Sequence, residues 1–93
     1  MSTAAKGARN EHKSKAILED AGFDVTRSAA SKGLWDLVAI GVLGTILVQV
    51  KTRDWPGSAE MEALELFREG PHCLKLVHRW RDGEKRPDVK VVT

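Results

Sequence analysis

Apolar and polar positions change their rhythm several times along the chain, and each rhythm predicts an element. Residues 8–21 contain neither Pro nor Gly and read as a helix stopped by Gly22. Its apolar positions (Ala8, Ile17, Leu18, Ala21) are sparse, so a core stripe is expected only in its C-terminal half. Phe23–Ser28 alternates as a short strand, and residues 29–33 (AASKG) form a small-residue loop. Two β-rich runs, Leu34–Ile40 and Thr45–Lys51, flank Gly41-Val-Leu-Gly44, which reads as a hairpin turn. After a polar link with Pro56 and Gly57, SAEMEALELFREG predicts a second helix. Ser58 is its expected N-cap, Met61, Leu64 and Phe67 share a stripe, and Gly70 marks its end. His72–Trp80 and Asp88–Val92 are strands separated by a polar turn. With residues 1–6 as a loose basic leader, residues 1–93 are expected to form one α/β domain. Its order is α-β-β-β-α-β-β, a mixed sheet flanked by helices.

The turn also predicts a register. If Gly41 faces Gly44, Ile40 faces Thr45 and, counting outward, Asp36 faces Gln49. Directly opposed residues share a sheet face with Cβ atoms about 5 Å apart. Lys51, two residues beyond Gln49, is on that face too. A carboxylate, an amide and an ammonium are thus expected at one end of an otherwise apolar hairpin. Leu37, Ala39, Ile46, Val48 and Val50 lie on one face, and Val38, Ile40 and Leu47 on the other. Strands apolar on both faces are covered on both sides, here by the two helices. The residues alone leave two readings of the polar end: a structural Asp36–Lys51 ion pair, or a functional site.

Glu11 on the first helix widens the second reading. Two carboxylates, Glu11 and Asp36, with the carbonyl oxygen of Gln49 make a hard-oxygen set suited to Mg²⁺ or Mn²⁺. Lys51 beside them would orient or activate a water, or stabilise charge on a phosphate.

Composition narrows the partners. Fifteen Lys and Arg against thirteen Asp and Glu give only +2, so the distribution of charge matters more than its sum. Lys6, Arg9, Lys13 and Lys15 stand against Glu11 alone near the start. A second basic surplus falls between residues 75 and 90, and the second helix is acidic. That segregation suits a phosphate-facing surface in which Lys6, Lys13, Lys51 and Arg53 grip backbone without reading bases. The lone Cys73 cannot form an internal disulfide, and no Cys/His cluster has zinc spacing. A cytoplasmic home is expected, with no secretory signal and no membrane span. Phe23 and Phe67 are expected in the core, Trp55 and Trp80 in the core or an interface. His12, His72 and His78 form no recognisable relay.

An early-helix Glu, an Asp at the start of a strand and a Q-x-K tripeptide in the next strand resemble the PD-(D/E)xK nuclease superfamily. The signature here is Glu11, Asp36 and Gln49-Val50-Lys51. Over about residues 6–53 the chain is similar to archaeal-type Holliday junction resolvases, through the basic leader, the Glu helix, the GFDVTRS strand, the Ser/Gly loop and the Asp strand. The resemblance implies a restriction-endonuclease-like fold and a homodimer that nicks opposed strands of branched DNA, a four-way junction, leaving 5′-phosphates. No small-molecule cofactor is implied beyond Mg²⁺, with Mn²⁺ as substitute. It further implies that Glu11, Asp36, Gln49 and the backbone carbonyl of Val50 hold the metal, that Lys51 is the catalytic lysine, and that Ser31 lies near the scissile phosphate. Arg9 and Arg27 match basic positions near the active centre, and Lys32 is expected among the DNA-binding residues. Trp35 replaces the usual Pro before the Asp, and Gln49 replaces the usual Glu, removing one negative charge. The VRR-NUC branch, which also uses Q-x-K, is the alternative, acting on flaps or other branched DNA. A catalytically silent DNA-binding module is the non-enzymatic one.

Overall fold

The computed structural model describes residues 3–28 and 33–93. Seven elements follow one another: α1 (Thr3–Asp20), β1 (Asp24–Arg27), β2 (Leu37–Ile40), β3 (Thr45–Thr52), α2 (Ser58–Leu66), β4 (Cys73–Trp80) and β5 (Asp88–Val92). The architecture is the expected α/β one, a single five-stranded mixed sheet flanked by helices, with strand order β1-β2-β3-β4-β5. Neighbours are antiparallel except β3 and β4, which are parallel because α2 carries the chain back between them.

The hairpin register is the one its turn predicts: Ile40 pairs with Thr45 and Leu37 with Val48. Gly41 N–H donates to the Gly44 carbonyl at 2.8 Å, closing the turn. Gly44 must be glycine, because a Cβ there would run into the carbonyl of His72. Side chains then alternate between two cores. Leu37, Ala39, Val48 and Leu76 join Leu18 of α1 and Val25, with Ile46 and Val50 packed against them. On the opposite face Val77 and Val92 join Trp35 and Leu64 of α2, with Leu47, Met61 and Phe67 alongside.

Four element boundaries differ from the sequence expectation. Residues 3–6, expected in a loose leader, are helical. The buried stripe of α1 is largely polar: Asn10, Ser14 and Leu18, four residues apart, face the sheet. Asn10 Nδ2 donates to Thr52 Oγ1 at 2.8 Å, and the Trp80 indole N–H donates to Ser14 Oγ at 2.8 Å. Ser14 Oγ also lies 2.9 Å from Nδ1 of His78. The strand expected from Leu34 begins at Leu37, since residues 34–36 bend Trp35 into the α2-side core. The N-cap of α2 is Gly57, not Ser58, and no side chain caps that end. Finally α2 stops at Leu66 rather than near Gly70. The Lys75 ammonium, 4% exposed, donates to the carbonyls of Leu64, Glu65 and Phe67 and pairs with Glu69, closing the helix end. Among the described residues no helix is long and apolar enough to cross a membrane.

Candidate active site

The β2–β3 ladder runs out at the end opposite the turn, and the polar residues gather there. Asp36 lies one residue before β2, and its N–H donates to the Val48 carbonyl at 2.9 Å. Its carboxylate Oδ2 then accepts the next free N–H of β3, that of Val50, at 2.7 Å. In an extended strand the N–H and C=O of one residue point to the same edge, so the Val50 carbonyl faces this opening too. Asp36 therefore occupies the margin of the sheet, between the layers of α1 and α2.

From the α1 side comes Glu11, whose Oε1 accepts from Arg27 Nε at 3.2 Å. Glu11, Arg27, Ser28 and Asp36 line one pocket of about 430 Å³. From the α2 side comes Lys51, whose Nζ is 3.1 Å from Glu60 Oε1. Burial pushes the Asp36 carboxyl above the usual carboxylate range, against the Val50 N–H, which favours its charged form. The charge of Glu11 raises it further, the Lys51 ammonium opposes, and Glu60 adds a smaller push upward.

Gln49 is 3% exposed. Its Nε2 donates to the Leu34 carbonyl at 3.2 Å, and its Oε1 is buried without a hydrogen-bond partner among the described residues. A buried orphan acceptor costs free energy unless something supplies a positive partner. Among the described residues no three His, Cys, Asp or Glu side chains meet closely enough to hold a metal. The Glu11–Asp36 pocket offers a cation two carboxylates, with the buried Gln49 oxygen on the neighbouring α2 side. Hard-oxygen donors of this kind fit Mg²⁺ or Mn²⁺.

The structure thus brings Glu11, Asp36 and Arg27 into one pocket and leaves Gln49 and Lys51 on the neighbouring α2 side. Ser31 and Lys32 lie outside the described residues. Lys6, Arg9 and Lys13 line a groove with Arg81, Asp82 and Gly83, and Lys6, Thr52 and Arg53 line a cleft beside it. Lys6 pairs with Asp82 at 3.3 Å and Lys13 sits 5.1 Å from the centre of the Trp80 ring. Arg53, in the left-handed region at φ 70, pairs with Asp54. Trp80 is core, whereas Trp55 is half-buried beneath the Arg79 guanidinium at 4.5 Å. Two groups escaped sequence reasoning. Glu60 reaches Lys51 only because the sheet and α2 bring them together, and Arg81 faces α1 across the whole length of the chain. The larger apolar groove, about 650 Å³ around Phe23, Val42, Leu43 and Leu74, lies at the hairpin-turn end, away from these groups.

The archaeal Holliday junction resolvase (hjc) family profile matches residues 2–58. That span includes Glu11, Asp36, Gln49 and Lys51. Among solved structures, the chain is similar to Archaeoglobus fulgidus Hjc, a Holliday junction resolvase from an archaeal hyperthermophile. The TM-score is 0.74 at 25% identity, covering 94% of this chain and 73% of that one. No curated protein matches.

Proposed function

This chain belongs to the archaeal Holliday junction resolvase family and is a nuclease, and from that premise we propose that it cuts four-way DNA junctions by paired symmetric nicks with a divalent cation, Mg²⁺ or Mn²⁺. Paired nicks need two active sites, and Glu11 and Asp36 form one candidate site, so the proposed working unit is a homodimer. The observation that carries the reading is the shared pocket of Glu11 and Asp36, brought together from a helix and the margin of the sheet.

Glu11, Asp36, the Gln49 carbonyl oxygen and the Val50 carbonyl would hold the cation. When bound, it supplies a Lewis acid for the phosphate and lowers the pKa of a coordinated water. The reaction is hydrolysis: water oxygen joins phosphorus, the bond from phosphorus to the 3′ oxygen breaks, and the departing oxygen takes a proton. Asp36 and Glu11 orient the attacking group, and Lys51 stabilises charge on the phosphate or holds the water. Arg27, already directed at Glu11, is within the pocket that would receive the phosphate. Lys6, Arg9, Lys13 and Arg53, with Ser31 and Lys32 in the loop, are proposed to hold the junction arms by their backbones.

The test incubates the protein and Asp36→Asn with a mobile-core four-way junction in Mg²⁺ or Mn²⁺. Symmetric nicking by the wild type, lost in Asp36→Asn, is expected. Preference for flaps over junctions would favour VRR-NUC-like cleavage. Tight binding without cleavage in either metal would mean that Gln49 has silenced the site.

A further inference from the structure

We propose that Glu60 is a positioning residue of this active site, holding Lys51 in place on the α2 side of Asp36. The inference rests on the nuclease reading above and adds to it a residue outside the signature, on a different element.

Lys51 projects from β3 on the α2 face, two residues beyond Gln49, and its side chain is 30% exposed. A lysine there has a long flexible stem and would sample many positions without a partner. Glu60 supplies the partner at 3.1 Å. It does so from the first turn of α2, where the helix N-terminus favours a carboxylate and a helical backbone fixes its origin. The link from β3 to α2 makes the approach possible. Arg53 turns at φ 70 while its N–H donates to the Trp80 carbonyl at 2.7 Å, and Asp54 N–H returns to the Thr52 carbonyl at 2.9 Å. The chain therefore doubles back at the end of β3, and α2 starts beside Lys51.

Glu60 also stands close enough to the site for its field to reach Asp36. An ordinary surface ion pair would give Lys51 a partner without touching the site. This one joins the first turn of α2 to the lysine of the signature.

The experiment compares wild type, Glu60→Gln, Glu60→Asp, Lys51→Ala and the Lys51→Ala/Glu60→Gln double variant. Single-turnover cleavage of a four-way junction is measured at saturating protein, alongside junction affinity in chelator. Glu60→Gln is expected to slow cleavage roughly 10–100-fold with junction affinity and melting temperature unchanged. Glu60→Asp should recover part of the rate. In the Lys51→Ala background, removing Glu60 should cost nothing further, because the two act as a unit. A separate reading needs no substrate: the two Lys51 ε-methylene protons should have distinct NMR shifts in the wild type and merge in Glu60→Gln. Unchanged or faster cleavage by Glu60→Gln, a loss that adds to that of Lys51→Ala, or unaltered ε-methylene signals would overturn the proposal. If the wild type cuts no junction, the nuclease reading fails on its own, and the NMR comparison still decides whether Glu60 holds Lys51.

Discussion

Gln49 carries two facts that pull in different directions. Its amide N–H is satisfied by the Leu34 carbonyl, while its own oxygen is buried and orphaned. Replacing it by glutamate would remove that donor and set a carboxylate against a carbonyl in a site 3% exposed. Gln49→Glu is therefore expected to destabilise the metal-free protein by about 1–3 kcal/mol. Because it adds charge to the ligand set, Mn²⁺ should raise its melting temperature more than that of the wild type. Equal increments in both proteins would remove Gln49 from the metal site. Asp36 shows the same tension. Its pKa is raised mainly by burial, so its ionised form weighs against folding once the pH passes upward from 3.8 through the raised value. Asp36→Asn keeps an oxygen for the Val50 N–H and lacks the charge. It should melt higher than the wild type at neutral pH, with the advantage vanishing below the ordinary carboxylate range. A lower neutral-pH melting temperature would show that the Lys51 attraction outweighs burial.

At the scale of elements, each helix is fixed to the sheet by a buried polar group. α1 lies on β4 through Ser14, His78 and Trp80. The indole N–H can only donate, so Ser14 Oγ accepts from it, and the same hydroxyl is hydrogen-bonded to Nδ1 of His78. Burial lowers the pKa of His78 from 6.5 to about 4. The unfolded chain takes up a proton below pH 6.5, which the folded chain refuses until about 4, so stability is lost as the pH falls through that window. The total is roughly 3 kcal/mol. Urea midpoints between pH 7 and 4 should decline in the wild type and less steeply in His78→Leu. α2 is held at its other end by Lys75, whose ammonium answers three helix-terminal carbonyls. Lys75→Met leaves those carbonyls and Glu69 without it and should cost about 3 kcal/mol or more. A denaturation midpoint within error of the wild type would contradict that role.

Across the whole molecule, the carboxylates of the candidate site and the cations proposed to grip DNA occupy different places. Glu11 and Asp36 meet at the margin of β2 and β3, while Lys6, Arg9 and Lys13 face Arg81 across a groove that continues past Arg53. Lys6 and Asp82 form an exposed pair of little strength, so the lysine is available to a phosphate. Binding and cutting should separate accordingly. Chelation of divalent metal is expected to abolish cleavage while the junction still binds. Lys6→Ala with Lys13→Ala should flatten the dependence of log affinity on log salt by roughly 2. An unaltered slope would place the DNA elsewhere.

The hairpin and the identity of its polar end were legible in the chain alone. Strict two-residue alternation and a glycine-bounded turn leave one register that buries Leu37, Ala39 and Val48 together, but the ladder ends at Leu37 and Val48, short of the expected Asp36–Gln49 pair. The family signature likewise needs only residue types and spacing. The polar stripe of α1, Asn10 and Ser14, was hidden because no apolar periodicity announces it; their partners, Thr52, His78 and Trp80, arrive only with the sheet. Tertiary structure alone also decided that Lys51 meets Glu60, that Gln49 turns its amide to Leu34, and that Arg81 faces α1. Local pattern determines which face a residue takes, because that follows from backbone period. Which polar group it finds on that face depends on how distant segments pack.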